Sequence, residues 1–255
     1  MENKSINEIL KDEKEFLNKI YTEYSLHEDP QTRVMRELAF KTIEPYIERT
    51  GIGLELGCSD GYFTEMLAAK LTKLDVLDGS INFLKEAEKR GISNARYIHS
   101  LFEEFKSDVR YDYVFASYIM EHVYDPVLVL DMVKRVMKPN GILFIVVPNA
   151  RALSRQLALH MGLYADLKQL TQNDLKFGHR RVYDRASLNR DIENAGFVNI
   201  SQGGIMLKIL ADFQMDKLIE EKILQEPQLM GLYKLGLEYP DLCGSLFSIC
   251  KPANK

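Results

Sequence analysis

The stretch LELGCSDGYFTEML, residues 54–67, decides the fold. An apolar strand ends at Leu56, a turn runs from Gly57 to Gly61, and an amphipathic helix follows the turn. Because glycine has no side chain, the backbone can turn sharply there and approach a ligand closely, while the first N–H groups of the helix face the same crevice. The pattern predicts a ligand at the carboxyl end of the strand.

An acidic residue at the end of the next strand narrows the kind of ligand. Asp78 closes the apolar run KLDVLD, about twenty residues after the turn, where a carboxylate can hydrogen-bond two ribose hydroxyls. The turn and the acid together predict a nucleoside-type cofactor. A dinucleotide fingerprint has glycines in the order GxGxxG, whereas Ser59 and Tyr62 stand at its second and third glycine positions, so a nicotinamide dehydrogenase is disfavoured.

Short apolar runs alternate with amphipathic stretches from Gly51 onward. Runs that are apolar throughout indicate parallel strands with helices on both faces of the sheet, so we predict a doubly wound α/β fold. The predicted strands are 51–56, 73–78, 95–100, 111–117, 141–148, 197–204 and 245–250. The predicted helices of this part are 62–71, 81–90, 125–137, 184–197, 217–225 and 229–236.

No internal repeat, low-complexity tract or proline-rich linker divides the chain, so we expect a single domain over residues 1–255. Residues 1–48 have helical periodicity with a break at 27–30, which predicts a helical brace or lid. Residues 50–148 are predicted to form the cofactor-binding core. Residues 149–183 and 207–240 are predicted to be helical cap insertions.

Composition and charge exclude several classes of function. The formal net charge is −4 and the basic residues are scattered, so no nucleic-acid partner is expected. No apolar run approaches the roughly 18 residues of a membrane span, so we expect no membrane insertion. Cys58, Cys243 and Cys250 lack the spacing of a zinc site or a disulfide framework, and the first residues do not resemble a signal peptide; both features favour a cytoplasmic protein.

Four motifs occur in a diagnostic order: ELGCSDG at 55–61, LDGS at 77–80, YDYVFASYIMEHVYDP at 111–126 and KPNGILFIVVPN at 138–149. In this order they resemble the class I S-adenosylmethionine-dependent methyltransferases over about residues 50–200. The EHVYDP and VPN segments are especially similar to ubiquinone-biosynthesis O-methyltransferases and to bacterial sugar or natural-product methyltransferases.

The resemblance implies a Rossmann-like sheet of seven strands whose last strand is antiparallel, with a helical cap inserted late in the chain. It also implies S-adenosylmethionine as the cofactor and S-adenosylhomocysteine as its product. The residues placed around the methionine part are Glu55, Gly57, Cys58, Ser59, Gly61 and Tyr62; those at the ribose are Asp78, Gly79 and Ser80; those bordering the adenine are Ser100, Leu101 and Phe102; and Ser117 ends the fourth strand beside them.

Two positions depart from the pattern of the family. Ser100 stands where the family often has an aspartate that accepts a hydrogen bond from the adenine amino group, a role that serine fills in part. Tyr118 stands where the ubiquinone-type enzymes have an acid that helps Glu121 and His122 hold a divalent cation. Because a hard cation prefers several oxygen ligands, we predict that no metal is used.

Methyl transfer to oxygen or nitrogen depends mainly on aligning donor and acceptor, and a hydroxyl acceptor also needs a base. Histidine is the side chain whose ordinary pKa lies nearest neutrality. His122 follows the fourth strand, where it is either a base or part of a segment that braces the next helix. His179 is the alternative base, in the polar segment KFGHRRVYD, which resembles the family's mobile element over the substrate.

Several residues are candidates for contact with the acceptor, although each has a plainer interpretation as a solvated or packing residue. Paired arginines bind phosphate or carboxylate groups, and the N-terminal segment folds over the cofactor in similar enzymes. The candidates are Tyr21, His27, Tyr118, Arg180, Arg181 and Tyr183. Cys58 begins next to a helix N-terminus, but its place in the turn favours a small loop residue over a nucleophile.

Together these features predict an O- or N-methyltransferase that acts on a polar small molecule, such as a sugar, a sugar nucleotide or a natural-product intermediate. The polar segment around His179 favours such an acceptor over a lipid quinone. The alternative is a non-catalytic binding or regulatory protein that keeps the fold. The intact glycines of the turn and Asp78 argue against that alternative.

Overall fold

The computed structural model of the chain describes residues 6–23, 29–48 and 50–253. The helices of this part are α1 (Ile6–Glu23), α2 (Pro30–Ile43), α3 (Tyr62–Ala68), α4 (Ile81–Glu88), α5 (Pro126–Val136), α6 (Leu153–His160), α7 (Gln172–Lys176), α8 (Arg185–Asn194), α9 (Asp212–Glu220) and α10 (Glu226–Glu238). The strands are β1 (Ile52–Leu56), β2 (Lys73–Asp78), β3 (Ala95–His99), β4 (Tyr111–Ser117), β5 (Met137–Pro148), β6 (Phe197–Ile205) and β7 (Ser245–Pro252). His27 lies outside the described residues.

The seven strands form one sheet in the order β3-β2-β1-β4-β5-β7-β6. The first five strands are parallel, and β7 runs antiparallel between β5 and β6. The strand order reverses beside β1, so the carboxyl ends of β1, β2 and β4 meet at the switch point where open α/β sheets bind ligands. This confirms the predicted doubly wound, mostly parallel sheet with an antiparallel last strand.

Apolar side chains cover both faces of the sheet, which explains why the strands are apolar throughout. On one face Val129 and Val133 of α5 and Ile192 of α8 pack against the strands. On the other face Phe63 of α3 packs with helices α2 and α4 over the sheet, where Phe115 stacks on Phe144 with ring centroids 5.0 Å apart.

Local sequence explains where helix α5 begins. The side chain of Asp125 accepts hydrogen bonds from the backbone N–H groups of Val127 and Leu128, at 2.9 and 3.4 Å. Pro126 occupies the first helical position, where its missing N–H costs nothing. The segment between β4 and α5 therefore ends at a fixed point, which holds the EHV residues at the edge of the sheet.

Several predicted boundaries are wrong, and three of them show why. The helix predicted at 217–225 runs instead over Asp212–Glu220, because the backbone turns left-handed at Lys222, with φ +57°. The helix predicted at 62–71 ends at Ala68. Strand β5 begins at Met137 rather than at Gly141, because Met137 pairs with Tyr111 beyond an irregularity in the β4–β5 register.

The described helices also bear on membrane association. None of them combines the length and the apolar character that a membrane crossing requires.

Candidate functional site

The turn after β1 has the backbone shape that its glycines predict. Gly57, Ser59 and Gly61 all have positive φ, at +71°, +48° and +78°. A Cβ atom at Gly57 would overlap Ile119, and one at Gly61 would lie 2.9 Å from Ala87 of α4. Only glycine therefore fits both ends of the turn.

Asp78 joins the ends of β1 and β2. Its Oδ2 accepts a hydrogen bond from the backbone N–H of Cys58 at 3.0 Å, and its Oδ1 accepts one from that of Ser80 at 2.8 Å. Burial raises the pKa of Asp78, and these two N–H donors oppose the rise. The carboxylate is thus held at the switch point, at the position predicted for the ribose.

The other residues of the turn face different surroundings. Cys58 is buried beside Asp78, and burial and that neighbouring charge raise the pKa of its thiol, which suits a small loop residue and not a nucleophile. The Tyr62 ring lies between Arg33 and Arg90, whose guanidinium carbons are 4.9 and 5.4 Å from its centroid. The contact of Tyr62 with the cofactor stays a prediction, because its side chain is turned toward these arginines.

Buried polar atoms without a hydrogen-bond partner mark the edge of the sheet. They include Glu55 Oε2 on β1, Ser80 Oγ just after β2 and Ser117 Oγ at the end of β4. Burial raises the pKa of Glu55 to about 8. Since buried polar groups normally have partners, their concentration on three neighbouring strand ends fits a site for a polar ligand.

The predicted adenine border lies after β3. Ser100 donates its backbone N–H to Asp78 O at 3.2 Å and its hydroxyl to Leu101 O at 2.9 Å. Leu101 is buried, and Phe102 packs against the core on the same side of the sheet as Leu56. An apolar wall with one polar end therefore stands beside Asp78; that it contacts an adenine stays a prediction.

The two candidate bases lie side by side. The rings of His122 and His179 meet edge to face with centroids 4.7 Å apart. Glu121 completes the group, with its Oε1 3.9 Å from Nε2 of His122 and its Oε2 buried without a partner. We call these three residues the histidine cluster.

Burial affects two members of the histidine cluster in opposite ways. Burial, and next the neighbouring His179, lower the pKa of His122 to about 3. Burial raises the pKa of Glu121 to about 7, although His179 opposes this. His122 is therefore neutral at ordinary pH, while Glu121 lies near the midpoint of its titration.

A carboxylate from the cap orients the second histidine. Nδ1 of His179 lies 2.9 Å from Oδ1 of Asp174, and the backbone N–H of His179 donates to the Asp174 carbonyl at 2.8 Å. Oδ2 of Asp174 accepts from both the N–H and the hydroxyl of Thr171, at 2.8 Å each. The capping box at the start of α7 thus fixes the carboxylate that meets His179.

One face of α1 covers both halves of the site. Leu17 packs on Gly79 next to Asp78, and Phe16 and Ile20 pack on Gly178 next to His179. Phe16 and Leu17 precede Ile20 by four and three residues, so each shares a face of the helix with Ile20. The N-terminal helix therefore covers the turn after β2 and the segment that carries His179.

The two arginines after His179 already have partners within the chain. Arg180 pairs with Glu13 of α1 at 2.8 Å and lies over the Phe16 ring. Arg181 donates from Nη1 to the carbonyl of Met120 at 2.9 Å and also to that of Val123. These contacts tie the 177–181 segment to α1 and to the loop after β4, and contact of either arginine with substrate stays a prediction.

The three predicted tyrosine contacts differ in their surroundings. Tyr118 has φ +57° and a buried hydroxyl 3.0 Å from Ser245 Oγ, so a strained backbone lies at the predicted acceptor side. Tyr183 lies in the core and donates to Asp191 at 2.8 Å, and its contact with substrate stays a prediction. Tyr21 packs edge to face on Phe83 of α4.

The histidine cluster is also the one group of the described residues whose potential metal-ligating atoms come together, all within 4.8 Å. Ligands about 2.0–2.2 Å from one tetrahedral Zn²⁺ lie roughly 3.3 Å from each other. The 3.9 Å between Glu121 and His122 is wider than that, and the hydroxyl of Tyr118 meets Ser245 instead. The spacing is not that of a formed cation site, and the absence of a metal stays a prediction.

Sequence reasoning missed three residues that shape the site: Asp174, Arg36 and Leu17. The signal for Asp174 was the capping-box pattern TQND ahead of His179. Arg36 and Leu17 carry no comparable local signal, because their contacts with the turns after β1 and β2 are tertiary.

Comparison with known proteins agrees with this architecture. A family model described as a methyltransferase domain matches residues 26–202, so the fold and the site define a class I methyltransferase. The chain belongs to this methyltransferase domain family.

Curated relatives of the chain are ubiquinone biosynthesis O-methyltransferases. One from Rickettsia akari is 30% identical over 115 residues, which are 44% of this chain and 45% of that protein. One from Actinobacillus pleuropneumoniae serotype 5b is 28% identical over 134 residues, which are 49% of this chain and 56% of that protein. The matched part of the chain thus spans about half the length of these relatives.

Solved structures are similar to the chain in fold over nine-tenths or more of its length. A complex of DhpI with SAH has a TM-score of 0.62 at 16% identity and covers 98% of this chain and 100% of its own. The N-methyltransferase NodS from Bradyrhizobium japonicum WM9, in complex with S-adenosyl-L-homocysteine, has a TM-score of 0.57 at 14% identity and covers 90% and 91%. At these identities the likeness shows the fold, and with the family match it makes the chain a methyltransferase-domain protein.

Proposed function

We propose that this methyltransferase acts on an oxygen or nitrogen atom of a polar small molecule, such as a sugar, a sugar nucleotide or a natural-product intermediate. The observation that carries the proposal is the histidine cluster, in which Glu121 and His122 follow β4 and His179 follows α7. A buried carboxylate beside two imidazoles offers both donors and acceptors to a polar acceptor and suits a lipid tail poorly.

S-adenosylmethionine supplies an electrophilic methyl group on a sulfonium. The residues that would hold it are those at the ends of β1, β2 and β4: the glycine turn for close backbone approach, Asp78 for the ribose hydroxyls, and Glu55, Ser80 and Ser117 for its remaining polar groups. The chain then has two further tasks, which are to align the acceptor and to remove its proton.

His179 is the better of the two candidate bases. Because burial lowers the pKa of His122 to about 3, its imidazole is a weak base at neutral pH. His179 has a carboxylate partner at Nδ1, and it lies in the segment that α1 covers. We propose that His179 removes the proton of a hydroxyl acceptor and that His122 packs against His179 and polarises its ring.

The experiment that tests this proposal is methyl transfer from radiolabelled S-adenosylmethionine to a panel of polar acceptors, with a quinol analogue as the lipid-type comparison. The panel comprises free sugars, nucleoside-diphosphate sugars and phenolic glycosides. We expect turnover with at least one polar class, strongly reduced by His179→Gln. The matched control is His160→Gln, an exposed histidine on α6. Transfer to the quinol analogue alone would contradict the proposed acceptor class.

A further inference from the structure

Asp174 is a buried carboxylate whose every oxygen is engaged. It is 9% exposed. Oδ1 meets His179, while Oδ2 receives two hydrogen bonds from Thr171 and lies 3.3 Å from Nη1 of Arg155 on α6. A carboxylate needed only to cap α7 would require the contacts with Thr171 and nothing from His179.

We propose that Asp174 is a positioning residue for the methyl-transfer reaction: it accepts the Nδ1–H of His179, so that Nε2 is the atom that takes the proton of the acceptor. This inference rests on the proposed function, since it concerns the base that a hydroxyl acceptor requires. It assigns to the cap insertion a part in catalysis and not only in covering the site.

The reason is the tautomer of the imidazole. A neutral histidine has one N–H, and a carboxylate at Nδ1 keeps that proton on Nδ1 and leaves the lone pair on Nε2. In the reaction, the O–H bond of the acceptor breaks and an N–H bond forms at Nε2. The electron pair left on oxygen forms the bond to the methyl carbon, whose bond to the sulfonium sulfur would break with its electrons staying on sulfur. The imidazolium then lies beside Asp174 until its proton passes to solvent.

Charged and titratable groups face His179 from each element packed against it. They are Asp174 from α7 with Arg155 of α6 behind it, Glu121 and His122 from the loop after β4, and the flanking Arg180 and Arg181, with Glu13 of α1 on Arg180. Among these, Asp174 is the group with a direct hydrogen bond to the His179 ring. Although burial opposes it, the hydrogen bond with His179 lowers the pKa of Asp174, so the carboxylate is ionised at neutral pH.

Two variants separate positioning from capping. Asp174→Asn keeps a capping oxygen for Thr171 but turns an amide N–H toward His179, which favours the opposite tautomer, with its proton on Nε2. Thr171→Val is the matched control, because it removes the capping hydroxyl and leaves the pair of Asp174 and His179 in place. A role limited to helix capping would make the two variants behave alike.

The test is ¹⁵N NMR of the histidine rings in the full chain without added acceptor, with the His179 resonances assigned from His179→Gln. We expect neutral His179 to be protonated at Nδ1 in the wild type and in Thr171→Val, and at Nε2 in Asp174→Asn. A proton on Nε2 in the wild type, or no difference between wild type and Asp174→Asn, would overturn the proposal. So would stoichiometric binding of added Zn²⁺ that shifts the Nε2 resonance.

Turnover gives the second readout. With an acceptor found in the panel, Asp174→Asn should lower kcat about 10²- to 10⁴-fold, the usual worth of a positioned base, with KM changed far less. Thr171→Val should retain most of the activity. The NMR result requires no acceptor, so the two ideas can fail separately. If the acceptor class is wrong, no acceptor of the panel is methylated but the tautomers are as predicted. If the role of Asp174 is wrong, Asp174→Asn keeps full activity.

Discussion

Arg36 of α2 reaches the glycine turn after β1 and donates from Nη1 to Oδ1 of Asp60 at 2.8 Å. Both side chains are mostly buried, at 16% and 17% exposure. Arg90, which follows α4, approaches the same residue from the other side and donates from Nε to the carbonyl of Asp60 at 2.7 Å. The turn after β1 is therefore held by two arginines as well as shaped by its glycines.

Removal of one arginine should loosen the turn without unfolding the chain. We expect Arg36→Met to weaken binding of S-adenosylhomocysteine about 10-fold, or about 1.4 kcal/mol. Without Arg36 the free turn is less ordered, so part of the binding free energy is used to order it. Asp60 keeps Arg90 as its partner, so no buried charge is left alone. Calorimetric titration measures the change, with Lys41→Met, exposed on the same helix, as control. Equal affinities for Arg36→Met and the control would show that the clamp does not affect binding.

Two glycines with positive φ allow the cost of backbone strain to be separated from the cost of a steric clash. Gly61 and Gly91 have φ +78° and +63°, but an added Cβ meets Ala87 only at Gly61. We expect Gly91→Ala to cost about 1–2 kcal/mol of unfolding free energy and Gly61→Ala a further 1–3 kcal/mol or so. Urea unfolding measures both. Similar losses for the two variants would mean that α4 shifts to make room.

The fold could be predicted because local patterns determine it. Apolar runs bounded by turns predicted the positions of all seven strands. A short apolar run that alternates with amphipathic helical stretches is readily identified as a buried strand. The boundaries were harder, as at Lys222, where a left-handed residue ends a periodic stretch that would otherwise continue. Such endings depend on packing and not on propensity.

The site could be predicted only where its residues are close in sequence. The turn at 57–61 and Asp78 follow from strand–turn–helix chemistry, and both histidines were found beside strand and helix boundaries. That His122 and His179 touch could not be predicted, because 57 residues of chain separate them and a cap helix brings them together. The lowered pKa of His122, which distinguishes the two as bases, is likewise a property of the tertiary structure.

Glu55 makes stability depend on pH in a defined direction. Burial raises its pKa from 4.5 to about 8, so its contribution to stability is fully present below pH 4.5 and is lost as pH rises toward 8. Wild type should lose this stability between pH 5.5 and 8, whereas Glu55→Gln should not, because glutamine does not titrate. The unfolding free energy of Glu55→Gln minus that of wild type should therefore increase over this range by on the order of a few kcal/mol.

Urea unfolding at the two pH values measures this difference. The control is Glu65→Gln on α3, where the carboxylate side chain is 59% exposed. A gap between Glu55→Gln and wild type that is the same at both pH values would contradict a buried, protonated Glu55.

The α1 face should restrain the segment that carries His179. Phe16 packs on Gly178 and its ring lies 4.4 Å from the guanidinium carbon of Arg180. We expect Phe16→Ala to increase amide hydrogen exchange over residues 177–181 about 10-fold, because the aromatic cover and the cation–π contact are lost together. Lys14→Ala, an exposed change on the same helix, is the control. Unchanged exchange at 177–181 would show that α1 does not hold this segment.

The division of the site into a cofactor side and an acceptor side is tested most directly by titrating S-adenosylhomocysteine into wild type, Asp78→Asn and His179→Gln. We expect saturable binding by wild type, at least roughly 10-fold weaker binding by Asp78→Asn, and binding by His179→Gln within about 2-fold of wild type. Equal affinity of wild type and Asp78→Asn, or no binding by folded wild type, would contradict this division of the site.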